Sequence, residues 1–331
     1  MKNFRKMLVV IATLACALRP VGVAGKRKYV NISGVISSTV TITQDSQLVG
    51  DVTCAVPLSM AGPNACIAFG ADHIKLRLNG HTITGPVEPP ANCSLGTDSA
   101  FGVGVLVDGR TDVQIDGPGV IQKFERWGIL LRSSTYVTVR KITVYRNCWS
   151  GIQTDSLSDS TFERDFLINN ALGAIGCGGI CVFNSNRNAF RGSIFHGNGT
   201  VDYPSGNLDF GIGFEGSSRE NRVEWNSIGG NTNGVLFFNT ASDNVVRDNI
   251  IAGNPPAQVL KTFVLINQQG ADIAFRSNFA GADNRIERNF CLTYIGPGTP
   301  PCPNVSFETQ EHKHDDKDEG EELESSVKEN E

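Results

Sequence analysis

The sequence predicts an all-β solenoid, with the short strands of one coil stacked in parallel on those of the next, and three columns of residues predict it. The first reads Arg77, Asp116, Arg140, Glu163, Arg191, Glu224, Arg247, Glu287, each preceded by an apolar residue (Leu76, Ile115, Val139, Phe162, Phe190, Val223, Val246, Ile286). Its sign alternates without exception. Such alternation is useful only if the repeats pile up as strands ~4.8 Å apart, so that each charge sits between two of opposite sign. The second column is a Gly followed by a β-branched residue: Gly104-Val105, Gly128-Ile129, Gly151-Ile152, Gly179-Ile180, Gly211-Ile212 and Gly234-Val235, with Asp272-Ile273 a degenerate last copy. The third is Asn at the bends, in three sets: Asn188, Asn221, Asn244, Asn284; Asn226, Asn249, Asn289; and Asn147, Asn170, Asn198, Asn231, Asn254.

Taken in chain order, Lys2, Arg5 and Lys6 precede an apolar run from Met7 to Leu18, and small residues follow up to Gly25. This is the pattern of a secretory signal peptide over residues 1–25, too short to span a bilayer, and no later segment is long and apolar enough to do so. Residues 26–65 are expected to cap the N-terminal end of the stack, because a solenoid end exposes strand edges and apolar core. Coils are expected over 66–292. There, period-two runs such as Val113-Gln114-Ile115 and Val137-Thr138-Val139 point to strands rather than to a helical solenoid, and abundant Gly and Asn would weaken helices. Asn suits the bends because its amide reaches the next coil and its backbone tolerates a left-handed conformation. A Pro-rich stretch within 293–307 is expected as the C-terminal cap, and an acidic disordered tail over 308–331.

The coils resemble the right-handed parallel β-helix repeats of the pectate-lyase-like superfamily. Leu76-Arg77-Leu78-Asn79-Gly80-His81-Thr82-Ile83-Thr84-Gly85 is similar to the opening coil of secreted bacterial members, including NosD-type periplasmic proteins. The resemblance implies a single-stranded right-handed parallel β-helix of about eight coils. It leaves activity open, since the architecture hosts lyases, hydrolases, epimerases and binding proteins.

Nine cysteines less Cys16 of the leader leave eight: Cys54, Cys66, Cys93, Cys148, Cys177, Cys181, Cys291 and Cys302. An even number in an exported chain points to disulfides. Local bridges are expected at the two ends, Cys54 with Cys66 and Cys291 with Cys302; the connectivity of the other four stays open, and no spacing argues for a metal. The tail from Glu308 to Glu331 holds eleven acidic and three basic residues, net minus eight against minus five for the whole chain. Removing it and the four basic residues of the leader brings the body close to minus one, without the basic face that nucleic-acid binding needs.

Insertions at Pro86 to Ala100, Ala171 to Gly178, Thr200 to Asp209 and Pro255 to Ala271 all fall just before a Gly-apolar strand. They must line one edge of the stack, and long loops on one side build a groove wall. The first strand becomes its floor. Alternation points Ile129 and Leu131 inward and Arg132 outward, so the equivalent outward column is Asp108, Arg132, Asp155, Phe183, Glu215, Phe238, Arg276. Acids and guanidiniums hydrogen-bond hydroxyls, and flat rings cover the apolar faces of pyranoses. The expected function is therefore binding of a carbohydrate polymer along the groove by an exported protein. The alternatives are a polysaccharide lyase or glycoside hydrolase, and an envelope scaffold that binds nothing.

As catalysts, Asp108, Arg132 and Asp155 are weak candidates. The two carboxylates would stand two rungs apart, ~9.6 Å, near the upper limit for an inverting glycosidase, and Arg132 between them would keep both ionised. Gln153-Thr154-Asp155 resembles the Asn-Thr-Asp of polygalacturonases, but the accompanying Asp-Asp, Gly-His-Gly and Arg-x-Lys elements are absent, as is the Asp-Pro-His-Glu of alginate epimerases. No cofactor is expected, except Ca2+ under the lyase reading, with Asp108 and Asp155 as ligands and Arg132 as base. Copper delivery lacks its ligands: Met60 is the sole Met after the leader, and His73, His81 and His196 form no close pair.

Overall fold

The computed structural model describes residues 28–57, 64–89, 91, 93, 102–173, 177–199, 210–238, 240–254, 271–275, 283–295 and 302. The expected leader, the acidic tail, Arg276, most of residues 293–307 and much of the four insertions lie outside them. Strands pair only in parallel, and no helix occurs among the described residues. A representative coil runs Trp127–Arg132, Thr138–Arg140, Thr143–Tyr145, and the next runs Ser150–Asp155, Thr161–Glu163, Phe166–Ile168. First strands of successive coils build a ten-stranded sheet, and second and third strands join in an eighteen-stranded one. This is the parallel β-helix that the columns predict.

Register bears out the charge column rung by rung. Arg77 partners Asp116, then Arg140, Glu163, Arg191, Glu224, Arg247 and Glu287 follow in unbroken succession. Stacking starts earlier than expected: Val30–Ile36 pairs with Ser46–Cys54, and Val40–Ile42 with Asn64–Phe69, so part of the stretch read as a cap, 26–65, is itself coil. Its inward residues Ile32, Leu48 and Val52 are buried, but it carries neither the Gly nor the charge column by which the later coils announce themselves.

The interior is a column of aliphatic and aromatic side chains. Ile152 and Val246 are fully buried, and rings stack from coil to coil in Phe162–Phe190, Phe214–Phe237 and Phe237–Phe275, with centroids 4.8, 5.3 and 4.7 Å apart. Ring spacing therefore matches the ~4.8 Å rung.

Asn works at the bends by a division of labour that the sequence reading did not separate. The left-handed residue is the one before each Asn: Arg187 before Asn188, Glu220 before Asn221, Trp225 before Asn226, Asp248 before Asn249. The Asn itself turns inward, and its Nδ2 donates to Oδ1 of the Asn one coil on, as in Asn147–Asn170–Asn198–Asn231–Asn254, at 2.8 to 3.2 Å. Buried amides are thereby satisfied without water. Asp165 occupies the same position in its coil as Asn226 does later, since Ser193 links them. Its Oδ1 accepts from the Ile142 amide at 3.1 Å, whereas buried Oδ2 has no hydrogen bond among the described residues. Burial pushes this carboxyl well above the ordinary range, against the amide bonds and with the help of Glu163.

The ladder's ion pairs concentrate on two carboxylates. Asp116 takes Arg140 at 2.6 Å and Lys75 at 3.4 Å, and Glu224, 1% exposed, takes Arg247 at 2.6 Å and Arg191 at 3.2 Å. Burial works to raise Asp116, but Arg140 and Lys75 outweigh it and hold the carboxyl below its usual value.

Arg140→Glu, which puts three acids in one column, is expected to destabilise by about 1–2 kcal/mol at low salt. Adding Asp116→Arg and Glu163→Arg should recover part of that loss; a thermal melt indistinguishable from wild type for the single variant would show the column to be uncoupled. For Asp165 the sign is opposite to that of Asp116. A carboxyl raised by folding contributes stability below its unfolded pKa and loses it as pH rises through the folded one. Asp165→Asn should therefore raise the melting temperature at neutral pH and add little in acid, and equal gains at both would refute the buried-acid account.

Candidate functional site

The outward column of the first-strand sheet is assembled as the alternation indicated. Asp108, Arg132, Asp155, Phe183 and Glu215 are successive Cα partners, and Phe238 follows one residue beyond the Phe214–Phe237 pair. Asp108 through Phe238 are all half-buried. Arg276, the expected last member, lies outside the described residues.

Arg132 does not stand midway between two carboxylates. It grips Asp108 with Nε and Nη2 at 3.1 and 2.5 Å, while among the described residues Asp155 accepts only from its neighbour Ser156, at 3.0 Å. Asp108 and Arg132 are thus a closed pair and Asp155 is left available on the floor. Two rungs further, past Phe183, the Glu215 carboxylate lies 3.4 and 3.6 Å from the sulfurs of Cys177 and Cys181. Burial raises its pKa. Asp155 and Glu215 therefore differ in environment: one lies beside a guanidinium and the other in an apolar corner.

That corner and its counterpart at the other end of the floor contain residues that period-two counting missed. Phe210, Leu236, Ala271, Ala274 and Cys181 pack on the outside of the sheet with Phe238, whose ring meets Phe210 edge-on at 6.3 Å. Toward the N-terminal coils, Trp127 packs with Ala65, Val103 and Leu130, and stands 5.9 Å from Trp149 in a T-shaped pair. The Arg126 guanidinium, buried, lies 4.0 Å from the Trp149 ring and 5.5 Å from that of Trp127. Trp149 Nε1 is buried and has no hydrogen bond among the described residues.

Gly128 is the reason for the miss. A Cβ there would point inward, 2.5 Å from Val144 Cγ1 and 2.9 Å from Asn147 Nδ2, so alternation breaks at the glycine and Trp127 faces out with Leu130. A second signal was in view: two of the three tryptophans flank Gly-apolar strands on the insertion side.

The first insertion does run along that edge. Lys123 holds Glu88 at 2.6 Å, Arg146 reaches Pro89, and Cys93 is bonded to Cys148, which precedes Trp149. In the second, Gly173 donates its amide to the Cys148 carbonyl at 2.7 Å. Of the expected disulfides, Cys291–Cys302 is present, and Cys177–Cys181 joins it. Cys54 and Cys66 are a correction: both are buried free thiols, hydrogen-bonded to each other. They face the core together, where a thiol packs as a small hydrophobe. The contact lowers the Cys54 thiol; with burial it raises that of Cys66.

These features define a right-handed parallel β-helix with one charged and aromatic floor. The chain belongs to the right-handed β-helix family, whose model matches residues 92–208 and 127–300. No curated protein matches it in sequence. Among solved structures, it is similar to a DFA-IIIase from Arthrobacter chlorophenolicus A6 without its lid, at 11% identity and TM-score 0.52, over 83% of this chain and 82% of that one. The Dettilon tailspike protein gp208 shares 14% identity at TM-score 0.51, over 84% of this chain and 57% of that one. For tailspike protein 2 of bacteriophage CBA120 the figures are 11%, 0.48, 79% and 38%. This chain thus spans well under two thirds of either tailspike, and at such identities the likeness is one of fold. No helix of the described residues is long and apolar enough to cross a membrane.

Thiol titration checks the cysteine assignment. Residues 26–331 should yield two free thiols, Cys54 and Cys66, only after unfolding, and peptide mapping should recover Cys93–Cys148, Cys177–Cys181 and Cys291–Cys302. A Cys54–Cys66 bridge would instead restore the expectation from the sequence.

Proposed function

We propose that this is an exported protein that binds a carbohydrate polymer along the outer face of its first-strand sheet. One observation carries the reading: acid, guanidinium and aromatic side chains succeed one another in unbroken register, Asp108–Arg132–Asp155–Phe183–Glu215, on a straight floor beside anchored insertions. A polymer with a regular repeat suits a surface whose contacts recur every ~4.8 Å. Hydroxyls would pair with Asp155, and Phe183, Phe238 and the Trp127–Trp149 corner supply flat apolar surface. Its three disulfides are in keeping with an oxidising compartment. DFA-IIIase and tailspike likenesses are compatible with this reading but support only the fold.

Turnover is the second reading, and the contrast between Asp155 and Glu215 favours it over a pair made from Asp108 and Asp155. A general acid must hold a proton, which burial helps Glu215 to do, while a base or nucleophile must not. At two rungs, ~9.6 Å, the pair sits at the wide end of the inverting range. A Ca2+-dependent lyase would use Asp155 and Asp108 as ligands, but Asp108 is already closed by Arg132.

A neutral-glycan array with the wild-type protein, followed by titration of the best ligand, tests the groove. Arg132→Ala or Phe238→Ala should lower affinity about tenfold or more, as loss of a central contact does. Phe166→Ala, exposed on the third-strand face, should leave it unchanged. Binding that follows Phe166 and ignores Arg132 would move the site to another face, and absence of any glycan ligand would favour the scaffold.

A further inference from the structure

The second-strand face, opposite in role to the groove floor, holds a pocket of about 430 Å³ lined by four arginines, Arg187, Arg191, Arg222 and Arg285. Two of them share one row of the second strands. Successive partners there are Lys75, Gln114, Thr138, Thr161, Ala189, Arg222, Val245 and Arg285; Lys75 is paired with Asp116, whereas Arg222 stands between Ala189 and Val245. These arginines are not members of the alternating column, which runs two residues further along each strand. They stand two rungs apart, ~9.6 Å, with Val245 between them.

Arg187 is closed by Asp159, with Nε and Nη2 both at 2.7 Å. Arg191 is ion-paired with Glu224, whose Oε2 lies 3.2 Å from its Nε while Arg247 holds Oε1 at 2.8 Å; that Nε is buried without a hydrogen bond, and the two Nη groups have none among the described residues. Arg222 is exposed and has no ion pair or side-chain hydrogen bond among the described residues. Arg285 reaches Glu287 only at 4.0 Å. Three forks with unused donors therefore converge on one concavity. Two carboxylates, Glu220 and Asp243, line it as well.

We propose that this pocket binds an acidic saccharide, with a carboxylate or sulfate oxyanion held by Arg222 and Arg191 and a second recurring anion by Arg285. Guanidinium forks match planar carboxylates and sulfate edges through paired hydrogen bonds. Glu220 and Asp243 favour a saccharide over an acidic peptide: they repel the carboxylates of either alike, but they accept hydrogen bonds from sugar hydroxyls, which polyglutamate lacks. The site lies outside the groove and does not depend on the reading proposed for it.

Calorimetric titration of the full chain at low salt tests the assignment, with oligogalacturonate, a chondroitin sulfate fragment, polyglutamate and a neutral maltooligosaccharide as probes. Oligogalacturonate or chondroitin sulfate should bind, and raised salt should weaken it. Arg222→Gln should lower affinity about tenfold and Arg222→Gln with Arg285→Gln should abolish it, at an unchanged melting temperature, since neither side chain supports the fold. Arg132→Ala should leave it intact. Equal affinity of Arg222→Gln and wild type, loss with Arg132→Ala instead, equal binding of the maltooligosaccharide, tighter binding of polyglutamate, or no binding of either acidic saccharide would each overturn the proposal.

Discussion

Everything in this molecule depends on coils that stack in strict register, and the bends enforce it. A left-handed residue turns the chain, and the Asn that follows sends its amide to the Asn of the next coil, so that slipping one coil would break a buried ladder rather than a single bond. Each unmade buried amide bond costs about 1–3 kcal/mol, and a slip would unmake several together. Apolar burial alone lacks this selectivity, because aliphatic columns tolerate sliding. Glycines before the first strands belong to the same device. A Cβ at Gly151 would stand 2.7 Å from the Gly179 carbonyl and 3.0 Å from the Asn170 amide, inside the ladder.

Register explains why so much of the fold was legible in the sequence. A column is a one-dimensional signal, and the alternation from Arg77 to Glu287 survives insertions because only position within the coil matters. What was not legible falls where that signal is absent. Residues 30–54 stack without the Gly or charge columns, and the sequence alone predicts a cap there. Trp127 lies one residue ahead of the glycine at which alternation breaks, so counting by two from Arg132 passed it by. Cys93 sits in an insertion, whose path no repeat dictates, and its bond to Cys148 could be found only in three dimensions.

The same distinction divides the candidate site. Its floor, Asp108 to Glu215, was readable because it is a column. Its chemistry was not, because the state of each group depends on neighbours off the column. Arg132 chooses Asp108 over Asp155, and Glu215 is raised by the corner that Cys177 and Cys181 help to close. Carboxylates that look alike in the repeat thereby sit in different surroundings, and burial acts on Glu215 in particular.

Charge on the two faces is arranged to different ends. In the alternating ladder, carboxylates are buried and shared between cations, as Glu224 is by Arg191 and Arg247, so the charges satisfy one another. Near Arg222 the row departs from that economy, and guanidiniums are set beside apolar Val245 with donors unspent. Structural charges in a solenoid have reason to be paired, since the neighbouring rung can always supply the opposite sign ~4.8 Å away. A cation placed where the rungs on either side are Ala189 and Val245 has forgone that rung partner, which leaves its guanidinium open to an anion from outside the chain.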